Sequence, residues 1–252
     1  MSDCLASLAA QDCTAPFEVI VVDNNSTDDT AAKATAAGVT VLLEPEPGVC
    51  QARQRGTTAA TGEIIVSADA DTVYDRHWLS RIEAWFAGDP QLIAVGGPCY
   101  FRDGPHWGIT VQRLLFGTVA LIERMGGPVL YISATNFAFR KEAWTGYDTR
   151  LAQGGDELDL LRRLRKRGRV TFDRRNPSHT SGRRMEKGVL YNFAVSFFYY
   201  YILGYALNRL FKRPILGRQP AFRWATNAPT EDLPATKLAT PEKPENRWRR
   251  AG

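Results

Sequence analysis

No two cysteines in this chain are spaced as CxxC, and the four present, Cys4, Cys13, Cys50 and Cys99, show no metal-ligand spacing. A zinc ribbon and a dithiol redox site are therefore not expected. There is no zinc-finger spacing, helix-turn-helix signal or aromatic-rich RNP pattern, so nucleic acid is not an expected partner. No basic, apolar signal segment opens the sequence, and the expected setting is reducing and cytoplasmic. DNNSTDDT (Asp23–Thr30) superficially resembles a calcium loop but lacks the central glycine and terminal glutamate of an EF-hand. No internal repeat is visible. One long stretch, Gly188 to Asn208, holds no charged side chain.

What is present reads as a globular protein. Of 252 residues, 44% are hydrophobic and 23% charged. That length suits one large domain, or one domain with an appendage. The formal net charge is +5. The basic excess gathers at Arg162–Arg169, at Arg183–Lys187 and in the C-terminal tail. Such patches suit phosphates or anionic headgroups.

Apolar runs alternate with helical patterns. After an opening helix, MSDCLASLAAQDC, with Asp3 as a candidate N-cap, comes FEVIVVD (Phe17–Asp23). That continuous β-branched run predicts a strand buried on both faces. An alanine-rich helix, the strand VTVLLE and the helix VCQARQRGTTAAT follow. The strand EIIVSAD precedes an amphipathic helix in which Trp78, Leu79, Ile82, Trp85 and Phe86 recur at helical spacing. QLIAVGGPCYF reads as one further strand, and a helix is expected near Gln112–Arg124. DELDLLRRLRKRG reads as a strong helix and VTFDR as a short strand. This β-α-β-α-β order predicts an α/β fold with a mostly parallel sheet flanked by helices. Ligands on such sheets sit at the carboxyl ends of the strands, where Asp23, Asp69 and Asp71 fall.

Residues i and i+2 of an extended segment point the same way, so Asp69 and Asp71 are expected to aim at one spot. Magnesium or manganese is commonly held by one or two carboxylates plus substrate phosphate oxygens. A lone D-x-D is most often a solvated turn. Here it belongs to an ordered set. VIVVDNNSTDDT, GVCQARQRGTTAATGEIIVSADADT, SATNFAFRKEAW with GYD, and GGDELDLLRRLRKRG together resemble the family 2 glycosyltransferases of the GT-A (Rossmann-like) fold. The match runs over roughly Phe17–Arg184.

The resemblance implies roles residue by residue. Asp23 would accept a hydrogen bond from the donor's base, Arg53 would sit near the base or diphosphate, and Asn25 and Asn136 would join the nucleotide-sugar site. Asp69 would face the ribose or the metal's water shell. Asp71 would ligate Mg2+ or Mn2+ at the diphosphate, with His179 as a further candidate ligand and a surface-loop histidine as its alternative. Arg183 and Arg184 are candidate phosphate clamps, set against a solvated basic face. The base would be Glu157, with Asp156 the alternative, because D-E stands where the family usually has E-D. Gln54-Arg55 replaces the more usual Asn-x before Gly56. The family also opens with a strand that precedes the first helix found here, and the absence of a central strand is expected to leave neighbouring edges exposed.

The charge-free segment is about as long as a membrane span, which needs roughly 20 apolar residues. Asn192, Ser196 and its crowded tyrosines favour an interfacial or re-entrant helix, with burial against the catalytic domain as the alternative. The expected organisation is a GT-A domain at 1–187, an apolar packing or membrane-associated helix at 188–211, and a basic, proline-rich tail at 212–252. The expected function is inverting transfer from a nucleotide-diphospho sugar to a hydroxyl of a glycan or lipid-linked acceptor, such as a cell-envelope polysaccharide. The protein would be peripheral or monotopic at the inner face of the cell membrane. A sugar nucleotidyltransferase and a non-catalytic sugar-nucleotide-binding paralogue are the alternatives.

Overall fold

The computed structural model describes residues 1–149 and 156–191, with isolated positions at 198, 199, 203, 207, 210 and 211. The segments expected at 188–211 and 212–252 thus lie largely outside the described residues.

Along the chain, α1 (Ser2–Ala9) precedes β1 (Ile20–Asp23), α2 (Thr30–Ala36), β2 (Thr40–Leu43), α3 (Val49–Ala59) and β3 (Ile64–Ser67). Then come β4 (Thr72–Tyr74), α4 (Trp78–Gly88), β5 (Leu92–Gly96), β6 (Cys99–Phe101) and α5 (His106–Arg124). β7 (Phe137–Arg140), α6 (Asp156–Leu164), β8 (Arg169–Phe172) and β9 (Ser178–Thr180) complete the core.

The α/β class expected from sequence is the one observed, with mixed sheets. β1 and β2 pair in parallel; β3-β7-β5-β8 form a four-stranded sheet and β4-β9-β6 a three-stranded one. β7 runs antiparallel to both β3 and β5, and β9 antiparallel to β4, so the parallel share is smaller than the sequence suggested. QLIAVGGPCYF is two strands in different sheets rather than one. The break lies at Gly96-Gly97-Pro98, where the backbone passes close to its neighbours. A Cβ on Gly97 would stand 2.4 Å from the Asn176 carbonyl oxygen.

β7 shows how the sheet divides the interior. Phe137 and Phe139 point into one core with Ile65, Phe116, Leu160 and Leu164. Ala138 points the other way, into a core built on Leu5, Leu8, Trp78, Ile82 and Phe86. This is the period-two alternation of a strand covered on both faces. The helical spacing read in α4 is thus the spacing of its buried face.

β1 departs from expectation. All four of its residues are half-buried rather than buried. A cavity of about 1610 Å³ accounts for this: Val19–Val22 line it on one side and Ile64–Ser67 on the other, with Leu8, Ile82 and Phe86 also facing it. Among the described residues the β1–β2 pair has no ladder to the four-stranded sheet. Among the described residues β1 and β3 each pair on one side only, and both line this cavity. α3 holds β1 in place, with Gly56 against Val22.

Candidate functional site

The site gathers at the carboxyl ends of β1 and β3. Asp23 closes β1, and its Oδ1 accepts a hydrogen bond from the Ser26 amide at 3.0 Å. Next to it, Asn24 clamps the loop leading to α3. Its Nδ2 donates to the carbonyls of Glu44 (2.8 Å) and Glu46 (2.7 Å), and its Oδ1 accepts from the Gly48 amide at 2.6 Å. Asn25 takes a left-handed backbone, φ 60°, and donates to the Pro45 carbonyl at 2.8 Å. Asparagine tolerates that conformation better than most residues. Gly48 caps α3 at φ 148°, where a Cβ would meet the Gln51 side chain at 2.3 Å. Asp23 and Asn25 thus sit together at one strand end, on a loop braced by Asn24. In the sequence nothing but its place in DNNSTDDT marks Asn24.

From α3, Arg53 reaches the centre. Its guanidinium pairs with Asp156 at the start of α6 and with Asp69 at 3.3 Å. The Arg53 side chain is 16% exposed and that of Asp156 only 2%. Burial would weaken the arginine's charge, but Asp156 and Asp69 outweigh it and hold the guanidinium firmly protonated. Gln54, one residue on, accepts a hydrogen bond from the Tyr147 amide at 2.7 Å. α3 therefore meets the β1 loop at its Gly48 cap and joins the D-x-D and the acidic helix through Arg53.

Asp69 and Asp71 do not lie on an extended segment. The Thr72 amide donates to the Asp69 carbonyl at 3.1 Å, closing a tight turn between β3 and β4. On this turn the two carboxylates take different protein partners. Asp69 faces Arg53. Asp71 accepts from Thr180 Oγ1 at 3.1 Å and from Arg183 at 2.8 Å. Both side chains keep about a third of their surface open, 37% for Asp69 and 36% for Asp71. Thr180 was not legible as a partner because β9, which carries it, is only three residues long.

His179 precedes Thr180 on β9. Because side chains alternate along a strand, Thr180 turning to Asp71 sends His179 to the other face. There its ring lies 6.4 Å from that of Tyr100. The structure does not bring His179 together with Asp69 and Asp71. Among the described residues no three His, Cys, Asp or Glu side chains cluster as a metal site. The two open carboxylates nevertheless fit a hard divalent cation that takes its remaining ligands from a diphosphate and water.

Asn136 lies inside the core, 2% exposed. Its Nδ2 donates to the carbonyls of Pro98 (2.9 Å) and Asn176 (2.7 Å), and its Oδ1 accepts from Trp78 Nε1 at 2.8 Å. Those bonds use both amide donors and tie the residue before β7 to the β5–β6 link, the β8–β9 loop and α4. The structure thus gives it a bracing role.

The acid pair begins α6. Burial raises the Asp156 pKa, but Arg53 and a hydrogen bond from Glu157 outweigh it, leaving the carboxylate below its usual range. Glu157 is pushed well above the usual range, first by burial of its carboxyl and then by the Asp156 charge beside it. Burial and the neighbouring charge thus favour the protonated form of Glu157, and Arg53 favours the ionised form of Asp156. Such a pair titrates as a unit.

The model of the Glycosyl transferase family 2 matches residues 1–145. The chain belongs to this family. A relative described as an uncharacterized glycosyltransferase of Mycobacterium tuberculosis is 35% identical over 158 residues, covering 61% of this chain and 70% of that protein. A PGL/p-HBAD biosynthesis glycosyltransferase of the same organism is 30% identical over 123 residues, covering 45% of this chain and 48% of its own. Among solved structures, a mannosyltransferase from Pyrobaculum calidifontis, in complex with GDP-Man and Mn2+, aligns with TM-score 0.58 and 23% identity over 71% of this chain. TarS of S. aureus aligns with TM-score 0.57 and 16% identity over 71% of this chain. These likenesses establish the GT-A fold. The chain spans about half the length of these two structures, 52% and 56%.

Proposed function

We propose that this family 2 member is an inverting, metal-assisted glycosyltransferase. It would move a sugar from a nucleotide-diphospho donor to a hydroxyl of a glycan or lipid-linked acceptor at a membrane surface. One observation carries the reading: the Arg53 guanidinium stands between Asp69 on the D-x-D turn and Asp156 at the head of α6. The donor-side turn and the acid pair therefore border one space.

In this reading Asp23 and the Asn25 loop receive the nucleoside, and Arg53 and Arg183 supply positive charge near the diphosphate. Mg2+ or Mn2+, held by Asp71 and its neighbour Asp69 with phosphate oxygens, would neutralise charge on the leaving diphosphate. The acceptor oxygen attacks the anomeric carbon as the carbon–oxygen bond to the diphosphate breaks, and the electron pair leaves with the diphosphate. The acceptor's proton passes to Glu157 of the Asp156–Glu157 pair in its ionised form. Attack opposite the leaving group inverts the anomeric centre. Glu157 is the base in this scheme, and Asp156 holds it in place.

The discriminating experiment is nucleotide-diphosphate binding by thermal shift with UDP and GDP, each with and without Mn2+. Stabilisation by one of them should require the cation and disappear in Asp71→Ala. Equal stabilisation with EDTA, or in the variant, would remove Asp71 from the metal assignment.

A further inference from the structure

α5 is amphipathic in the wrong sense for a surface helix. Its inner face, with Gly108, Phe116 and Val119, packs on the core. Its outer face should be polar. Instead Val111, Leu114, Leu115, Leu121 and Met125 are exposed, Leu114 at 67%, Leu121 at 57% and Met125 at 79%. At 100° per residue these positions fall on one stripe. From Val111 to Met125 it runs about 21 Å at 1.5 Å per residue. Isolated exposed leucines are ordinary, but five exposed apolar side chains gathered on one stripe, interrupted only by Thr118, whose hydroxyl donates to the Leu114 carbonyl at 2.8 Å, mark a contact surface.

The helix's charges are sorted. Glu123 turns inward, accepting a hydrogen bond from Thr171 Oγ1 on β8 at 2.8 Å. Arg113 and Arg124 are exposed, and helical spacing places both along one border of the stripe. The outer charge of α5 is therefore wholly positive. The start of the charge-free segment lies near the N-terminal end of α5. Met185 lies against the first turn of α5, 3.2 Å from where a Gly108 Cβ would stand. The chain leaves that point through Val189 and Leu190, exposed at 51% and 85%.

We propose that the outer face of α5 is a docking surface for an anionic lipid bilayer. Leu114, Leu121 and Met125 enter the acyl boundary, and Arg113 and Arg124 meet the headgroups. An apolar stripe bordered by arginines is the arrangement an interfacial helix uses. The lack of an exposed acid on α5 favours anionic over neutral lipid. The proposal rests on the reading of a membrane-surface enzyme only for its purpose, which is to hold the catalytic site at the surface where a lipid-linked acceptor lies.

The test is vesicle co-sedimentation of the full chain, without donor, on phosphatidylcholine vesicles with and without 30 mol% phosphatidylglycerol (roughly the charge density of an anionic leaflet). The wild type should bind the anionic vesicles. Leu114→Glu/Leu121→Glu should bind at least about tenfold more weakly, since two leucines would no longer be buried. Arg113→Gln/Arg124→Gln should lose the preference for phosphatidylglycerol. Circular dichroism and an unchanged response to UDP or GDP establish that the variants are folded. Undiminished sedimentation of the double glutamate variant would overturn the proposal, leaving membrane contact to the segment after Gly188. A dimer in lipid-free solution that the same variant dissolves would also overturn it, making a second copy the occupant. Glu157→Gln separates the two readings, because it should bind vesicles like wild type while losing turnover.

Discussion

Replacing Arg53 with methionine tests the site's central contact. Methionine keeps much of the aliphatic volume and removes the charge. Two ion pairs are lost, and they are not equal. Asp69 is 37% exposed, so solvent screens that leg, and it contributes at most about 1 kcal/mol. Asp156 is 2% exposed and would be left as an uncompensated buried carboxylate. Removing one partner of a buried pair costs about 3–5 kcal/mol. The expected loss in stability by urea denaturation at pH 7 is therefore about 3–5 kcal/mol, most of it from Asp156. Neutralising the stranded group should restore much of it, so Arg53→Met/Asp156→Asn should be clearly more stable than Arg53→Met. A loss below about 1 kcal/mol, or a double variant no better than the single one, would refute the buried-pair account.

The acid pair carries a pH prediction. The folded pKa of Glu157 is above its unfolded value, so the folded protein keeps a proton that the unfolded chain loses between the two. Its contribution to stability therefore falls as pH rises through that window. Asp156, shifted down, contributes stability that is present above its unfolded pKa and is lost as pH falls through its folded one. Turnover should climb with pH as Glu157 gives up its proton, and Glu157→Gln should abolish it while sparing donor binding; a pH-independent rate would speak against Glu157 as base. Asn136→Ala should destabilise by about 1–3 kcal/mol for each carbonyl or indole left unpaired, with donor affinity in the cold within about twofold of wild type. A selective loss of donor affinity would return it to the nucleotide site. His179→Ala should leave the Mn2+ dependence of nucleotide binding intact, and a weaker dependence would show that the ring turns to Asp71.

The α/β class was legible because it is written in local patterns. The β-branched run ending at Asp23, the spacing of Trp78, Ile82 and Phe86, and the turn chemistry between them are short-range signals. β4 and β9 were not legible. Each has three residues, too few for a period to show, and each is a strand only because its partner is in register. The division of QLIAVGGPCYF was hidden for a similar reason, because the crowding that demands glycine at Gly97 comes from Asn176, far along the chain.

The candidate site divides along the same line. From residue type and spacing alone, which are local properties, Asp23, Asp69, Asp71, Asp156 and Glu157 can be placed in order at element ends, with Arg53 within a helix. Only the tertiary structure decided their partners. It turned Asp69 toward Arg53 and Asp71 toward Thr180 and Arg183, sent His179 to the far face of β9, and enclosed Asn136 in the core. It also favours the proton on Glu157 over Asp156. That choice follows from which carboxyl a guanidinium on a distant helix can reach, and reach across about a hundred residues is a property of packing.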